Sequence, residues 1–132
     1  MRPDPAHYKE LVELHGALYE RGLRILCFPC NQFGKQEPGS ASEIRAFADG
    51  YGVTFDMFSK VDVNGPNAHP VFQFVRAHLS DILGSSVKWN WTKFLCDRDG
   101  KPSERFSPPT NPLSMRPAIE ALLDKKPTAE RA

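Results

Sequence analysis

The distribution of apolar residues along the chain predicts helices alternating with strands. Apolar side chains recur at helical spacing from Tyr8 onwards, and Gly22 supplies the end of that first helix. Residues 23–28 then form a short apolar run that predicts a strand, closed by Pro29. Ser40 and Glu43 have the spacing of a capping box, in which a hydroxyl and a carboxylate satisfy free backbone N–H groups, so a second helix is predicted after Ser40.

The second half of the chain continues this alternation. Residues 55–63 predict a strand, and a third helix is predicted from about residue 70 to residue 79, with Val71, Phe74, Val75 and His78 on one side. Two short strands, 93–96 and 104–106, flank an Asp-Gly pair that is typical of a hairpin. A final helix is predicted over 114–124, and the whole order is α-β-α-β-α-β-β-α.

This order predicts an α/β fold with a largely parallel sheet, helices on both faces and an antiparallel hairpin at the end. A chain of 132 residues is long enough for a single domain and too short for two. One feature is unusual, because a sheet of this kind normally opens with a strand whereas this chain opens with a helix.

Composition and charge exclude several classes of function. The net charge is +1, with 17 basic against 16 acidic residues, so no nucleic-acid binding is expected. The longest apolar stretches are shorter than the ~20 residues that cross a bilayer, and no signal peptide is visible, so we expect no stable membrane insertion. Three cysteines are too few for a disulfide framework and favour a reducing, cytoplasmic location. The four histidines are scattered without metal-ligand spacing, so no metal site is predicted.

Three segments carry side chains that could support chemistry: residues 28–39, residues 88–94, and the C-x-x-C pair Cys27 and Cys30. The first is a loop at the carboxyl end of a strand, where open α/β sheets bind ligands. Its glutamines could orient a small polar group or could tie the loop to the protein itself, and both readings stay open. In the second segment, the Trp89 indole and the Asn90 amide offer two donors that could stabilise an anionic nucleophile. Core packing is the alternative for the tryptophans, and it is the interpretation we adopt for Trp91.

These segments together resemble the glutathione peroxidases. The resemblance rests on FPCNQFGKQEPG, FDMFSKVDVNG, AHP and KWNWTKFL, whose order and spacing match that family from about residue 8 to residue 123. The similarity is greatest to the monomeric phospholipid-hydroperoxide branch. It implies a thioredoxin-like fold and a catalytic tetrad of a selenocysteine or cysteine, a glutamine, a tryptophan and an asparagine. Carried over to this chain, the last three are Gln36, Trp89 and Asn90.

The resemblance also implies how these groups act. Their N–H groups would hydrogen-bond a selenolate or thiolate and polarise the peroxide while its O–O bond breaks. The fourth member falls at about position 1, where this chain has Met1, and a thioether cannot form a thiolate. We therefore expect residues 1–132 to be a single domain, truncated at its N-terminus, that lacks the strand before the nucleophile and is inactive as given.

The cysteines are not expected to replace the missing group. A redox C-x-x-C pair works at a helix N-terminus, whereas Cys27 is predicted in a strand and Cys30 at the start of a loop. Thiol–disulfide exchange through this pair remains an alternative. Thioredoxin-dependent members of the family carry a resolving cysteine shortly after Phe-Ala of the second helix, where this chain has Asp49. That substitution favours glutathione as the reducing co-substrate, with no bound cofactor, and makes the protein a candidate selenoprotein.

The short interval between His69 and Trp89 leaves no room for the segment that tetrameric members use for assembly. A monomer with a site open to lipid hydroperoxides is therefore expected. Lys88 could attract the carboxylates of glutathione or could be an ordinary solvated lysine. A second hypothesis for the whole protein is a non-catalytic relative, with a degenerate site, that acts as a binding or structural protein.

Overall fold

A computed structural model describes residues 5–33, 39–79, 84–88 and 90–125. Its element order agrees with the predicted alternation of helices and strands. The elements are α1 (Pro5–Leu18), β1 (Leu26–Cys27), α2 (Ala41–Asp49), β2 (Asp56–Met57), α3 (Pro70–His78), β3 (Lys93–Cys96), β4 (Pro102–Phe106), a 3-10 helix (Pro112–Met115) and α4 (Arg116–Leu123).

Local sequence signals account for the helix ends. The backbone N–H of Glu43 donates to Oγ of Ser40 (3.2 Å), and the Ser40 N–H donates to Oε1 of Glu43 (3.4 Å), which confirms the capping box at α2. After α1 the chain turns at Gly22, whose φ of 119° lies in the left-handed region. A Cβ at this position would lie 2.7 Å from Nη1 of Arg98, the end of a flexible side chain that can shift, so it is the backbone angle that favours glycine.

The strands are shorter than the sequence predicts. β1 pairs in parallel with β2, through Leu26 with Asp56 and Cys27 with Met57. The predicted strands 23–28 and 55–63 are therefore wrong in extent. The reason is visible at both ends of β1: the Leu23 N–H donates to the Leu18 carbonyl at the end of α1 (3.1 Å), and Pro29 has no N–H to donate.

The hairpin is confirmed, but it is not joined to the parallel pair. β3 and β4 are antiparallel, with a register shift between Leu95 and Cys96. Within the described ranges the strands form two separate two-stranded sheets. What connects them is side-chain packing instead of a backbone ladder.

The third and last helices also differ from the prediction. In α3 only Val75 of the predicted face is buried, while Val71 and Phe74 are 39% and 46% exposed. The last helix was predicted as one element over 114–124, but it begins as a 3-10 turn at Pro112 and continues as α4. Proline fits the first turn of either helix type, because the N–H that it lacks would have no partner there.

The buried side chains fall into three apolar clusters. The first surrounds Tyr8 and the second surrounds Leu14 and Leu18, so α1 contributes to both. The third lies beneath the loop after β1 and consists of Cys30, Phe33, Val63 and Val87. Among the helices that the structure describes, none has the length and apolar character needed to cross a membrane.

Arg98 links the hairpin to two helix ends, and its removal should destabilise the fold. Its Nη2 donates to the carbonyls of Arg21 (2.7 Å) and Leu123 (2.8 Å). We expect Arg98→Ala to lower the free energy of unfolding by about 1.5–3 kcal/mol, because hydrogen bonds from a charged donor are lost. Urea denaturation measures this difference. Lys101→Ala, an exposed change in the same hairpin, is the control and should fall within about 0.5 kcal/mol of the parent chain. Equal midpoints for the two variants would contradict the role given to Arg98.

Candidate active site

Of the three expected site residues, the structure describes Asn90, which is buried with 5% of its surface exposed. Gln36 and Trp89 lie outside the described residues. The structure describes the chain up to Phe33 and from Gly39, and on both sides of residue 89, and these flanking residues make the contacts that follow.

The loop after β1 is tied to the turn after β2 by one side chain. Oε1 of Gln32 accepts hydrogen bonds from the backbone N–H groups of Val63 (2.8 Å) and Asn64 (3.0 Å). Its Nε2 donates to the Asn64 carbonyl (3.0 Å). Of the two readings left open for the loop glutamines, Gln32 therefore follows the second: it ties the loop to the protein.

A second amide continues this connection to the segment before Asn90. Nδ2 of Asn64 donates to the Val87 carbonyl (2.6 Å), and the Val87 N–H donates to Oδ1 of Asn64 (2.8 Å). Beneath these polar contacts, Val63 and Val87 pack with Cys30 and Phe33 in the third cluster. The loop after β1, the turn after β2 and the segment leading to Trp89 and Asn90 therefore meet at one place.

Two arginines hold the same segment from its other side. Arg105 on β4 donates through Nη1 to the Ser85 carbonyl (2.8 Å) and through Nη2 to the Ser86 carbonyl (2.6 Å). Arg76 on α3 donates through Nε to the Ser85 carbonyl (3.4 Å) and through Nη1 to the Val63 carbonyl (3.0 Å) in the turn after β2. Residues 85–88 belong to no helix or strand, so these side chains satisfy backbone groups that a sheet would otherwise pair.

Lys88 lies beside the expected site, but its ammonium group is turned towards its own loop. Nζ donates to the carbonyl and to Oγ of Ser86, at 2.7 and 2.9 Å. These contacts weaken the expectation that Lys88 attracts glutathione, because a ligand carboxylate would have to compete with them.

Trp91 shapes the turn that follows Asn90. Its φ of 67° is in the left-handed region, a conformation that costs a bulky residue roughly 1–3 kcal/mol and persists only where packing holds it. The indole ring stacks against the His7 ring at 4.7 Å and meets the Tyr8 ring edge-on at 5.2 Å. His7 is in turn bound to Lys93, whose Nζ donates to its Nε2 (2.8 Å). These contacts agree with the interpretation of Trp91 as a packing residue.

The three cysteines are present as thiols in unfavourable places for a nucleophile. Cys27 is 8% exposed in the first cluster. Burial raises the pKa of the Cys30 thiol, although the Gln32 N–H that donates to its sulfur opposes this shift. Partial burial of the sulfur, with a smaller contribution from the Asp97 carboxylate, also raises the pKa of Cys96, even though the residue as a whole is exposed. A raised pKa leaves less reactive thiolate at neutral pH, so Cys30 and Cys96 are poorly suited to attack a peroxide.

Sequence reasoning missed Asn64, Arg76 and Arg105. Asn64 directly follows the predicted strand 55–63, and the two arginines look like ordinary surface residues of a helix and a strand. No group of three or more His, Cys, Asp or Glu side chains that could hold a metal occurs in the described part of the chain.

Comparison with known proteins identifies the family to which these motifs belong. The family model described as glutathione peroxidase matches residues 4–76. The phospholipid hydroperoxide glutathione peroxidase of Pongo pygmaeus is 54% identical over 109 residues, which are 81% of this chain and 55% of that protein. A glutathione peroxidase of Schistosoma mansoni is 48% identical over 121 residues, which are 91% of this chain and 72% of that one.

The chain thus spans about half the length, 55%, of the phospholipid hydroperoxide relative. Among solved structures, that of Trgpx in apo form superposes with a TM-score of 0.73 at 32% identity, covering 90% of this chain and 71% of that one. T. cruzi GPX1 superposes with a TM-score of 0.70, also at 32% identity, covering 89% and 71%. These likenesses confirm the expected thioredoxin-like α/β fold, and the matches in sequence and structure together show that the chain belongs to the glutathione peroxidase family.

Proposed function

We propose that this chain is the greater part of a thiol-dependent peroxidase that reduces lipid or organic hydroperoxides and hydrogen peroxide, with glutathione as the reducing co-substrate. The observation that supports this most directly is the convergence of the loop after β1 and the Asn90 segment, joined through Gln32, Asn64 and Val87. Hydrogen-bond donors can stabilise the charge that develops in a transition state only if the segments that carry these donors are held in fixed positions.

In this proposal Gln36, Trp89 and Asn90 surround a selenolate or thiolate. The nucleophile attacks one peroxide oxygen, the O–O bond breaks, and the other oxygen leaves as an alcohol or as water after taking a proton. The resulting selenenic or sulfenic acid reacts with one glutathione thiol, releasing water. A second glutathione then restores the nucleophile, and the two glutathiones leave as a disulfide.

The nucleophile is not one of the three cysteines of this chain, given the burial of Cys27 and the raised pKa values of Cys30 and Cys96. We propose that it precedes α1 and is a selenocysteine. Asp49 supports this: it lies where thioredoxin-dependent members carry a resolving cysteine, and its carboxylate pairs with Nε of Arg45 at 2.9 Å. A lone nucleophile needs external thiols, and a selenol is ionised at neutral pH where an unassisted thiol with a pKa of ~8.5 is mostly protonated.

We further propose that the protein acts as a monomer in a reducing compartment such as the cytoplasm. The three cysteines, present as thiols, fit such a compartment. The short interval between α3 and Asn90 supports the monomer and a site open to bulky lipid hydroperoxides.

The first prediction from this proposed function compares the two tryptophans in the protein expressed from its complete reading frame. Trp89→Phe should lower the rate of peroxide reduction by roughly 10-fold or more, because a donor to developing charge is removed. Trp91→Phe is the matched control, since it makes the same change in a packing residue. It should lower stability but retain most of the activity of the folded protein.

A coupled assay that follows glutathione oxidation measures both rates. Equal losses in the two variants would contradict the assignment of Trp89. Complete absence of peroxidase activity in the parent protein would instead favour the non-catalytic relative as its function.

The second prediction concerns the cysteines. In the native chain at neutral pH, iodoacetamide should modify Cys96 first and Cys27 and Cys30 only after unfolding, because both of the latter are buried. Modification of Cys96 should accelerate as the pH rises, since its raised pKa delays formation of the thiolate. Mass spectrometry of peptides identifies the sites.

A Cys27→Ser, Cys30→Ser double variant of the complete protein should keep its peroxidase activity, and a folded but inactive variant would favour the disulfide-exchange alternative.

The third prediction concerns the nucleophile itself. Reading the transcript upstream of the Met1 codon should show an in-frame UGA that follows codons for an apolar strand. The complete protein should then contain one selenium atom per chain by elemental mass spectrometry. A cysteine codon at that place would rule out selenocysteine while leaving the peroxidase proposal intact.

A further inference from the structure

Two side-chain amides connect the three segments that meet beside Asn90. Gln32 makes three hydrogen bonds of 2.8–3.0 Å to the backbone of Val63 and Asn64. Asn64 makes two hydrogen bonds, 2.6 and 2.8 Å, to the backbone of Val87. Starting in the loop after β1, this connection ends two residues before Trp89.

The geometry at Asn64 resembles one rung of a β-ladder. An amide side chain can present its carbonyl and one of its N–H donors to the same side, as one residue of a strand presents its own N–H and carbonyl to a neighbouring strand, and Asn64 uses both on the N–H and the carbonyl of Val87. Residues 85–88 belong to no helix or strand, so this rung replaces the pairing that a regular strand would have.

The direction of the Asn64 side chain depends on its backbone, and Gln32 binds that backbone on both sides of the Asn64 Cα. Gln32 binds the Asn64 N–H and the Asn64 carbonyl, which limits rotation about the Asn64 dihedral angles. Loss of Gln32 would therefore loosen Asn64, and loss of Asn64 would release Val87. The two side chains act in series.

We propose that Gln32 and Asn64 are positioning residues that set the distance between the loop carrying Gln36 and the segment carrying Trp89 and Asn90. The structural link stands on the hydrogen bonds above, and its consequence for catalysis rests on the proposed function. Neither side chain takes part in the chemistry. Both act through the segments that they hold.

The test follows Trp89 by fluorine NMR in the complete protein labelled with fluorotryptophan. Replacing Trp89 and Trp91 in turn with phenylalanine assigns their signals. Asn64→Ala should shift or broaden the Trp89 signal, while the Trp91 signal, held by contacts with His7 and Tyr8, should stay in place. Gln73→Ala is the control, because Gln73 also donates from a side-chain amide to a nearby carbonyl, that of Ala68 (2.7 Å).

A double-variant cycle separates a series connection from two independent stabilising contacts. If Gln32 acts through Asn64, adding Gln32→Ala to Asn64→Ala should change the Trp89 signal no further, whereas independent effects would add. An unchanged Trp89 signal in Asn64→Ala, an equal change in Gln73→Ala, or additive effects would each overturn the proposal. If Asn64→Ala does not fold, Asn64→Asp replaces it. The aspartate keeps the acceptor for the Val87 N–H and loses the donor to its carbonyl, so a shifted or broadened Trp89 signal is expected, and an unchanged signal would overturn the proposal.

Kinetics then tests the consequence for catalysis. The rate constant for peroxide reduction should fall roughly 10- to 100-fold in Asn64→Ala, the scale of a misplaced catalytic group, and remain within about 2-fold in Gln73→Ala. A displaced Trp89 signal with an unchanged rate would overturn the catalytic part of the proposal. A parent protein without peroxidase activity would count against the proposed function, while the NMR result would still decide the structural connection.

Discussion

The apolar face of α1 is the contact on which the rest of the structure depends. Within the described ranges no backbone ladder joins the parallel pair β1–β2 to the hairpin β3–β4. Tyr8 packs with Cys27 and Phe55 on the side of the parallel pair, while Leu14 and Leu18 pack with Leu95 of the hairpin. These three α1 side chains are 1–2% exposed, so almost all of their apolar surface is removed from water. Burial of large side chains is worth about 1.5–3 kcal/mol each, and here it supplies the cohesion that a continuous sheet would provide through hydrogen bonds.

The sequence predicted elements with local signals and missed features that depend on distant partners. The capping box at Ser40, the glycine turn at Gly22 that follows α1 and the Asp-Gly hairpin were read correctly, because each signal lies within a few residues of the element that it specifies. The predicted strand lengths were wrong because they depend on residues that are distant in the chain. Whether Leu23 belongs to a strand depends on which carbonyl its N–H reaches, and it reaches Leu18 instead of a neighbouring strand. Apolar character alone does not reveal that choice.

The same distinction between local signals and distant partners applies to the candidate site. Long motifs pointed to Gln36, Trp89 and Asn90, but nothing local marked Asn64, Arg76 or Arg105 as their support. Arg105 lies on β4 and reaches the carbonyls of Ser85 and Ser86, about twenty residues away in the chain. Long, flexible cationic side chains are common on protein surfaces, so their sequence context does not distinguish a structural anchor from a solvated charge. Only the folded arrangement does.

Side-chain anchoring of the Asn90 segment has a physical advantage over a strand. A regular strand would fix residues 85–90 in the pleated, alternating geometry of a sheet, which points successive side chains to opposite faces. Trp91 instead takes a φ of 67°, outside that geometry, and Asn90 remains buried beside it. Hydrogen bonds from Asn64 and Arg105 satisfy the backbone at Val87, Ser85 and Ser86 without imposing the pleat. The segment can therefore turn sharply at Trp91, which a continuous strand would not allow.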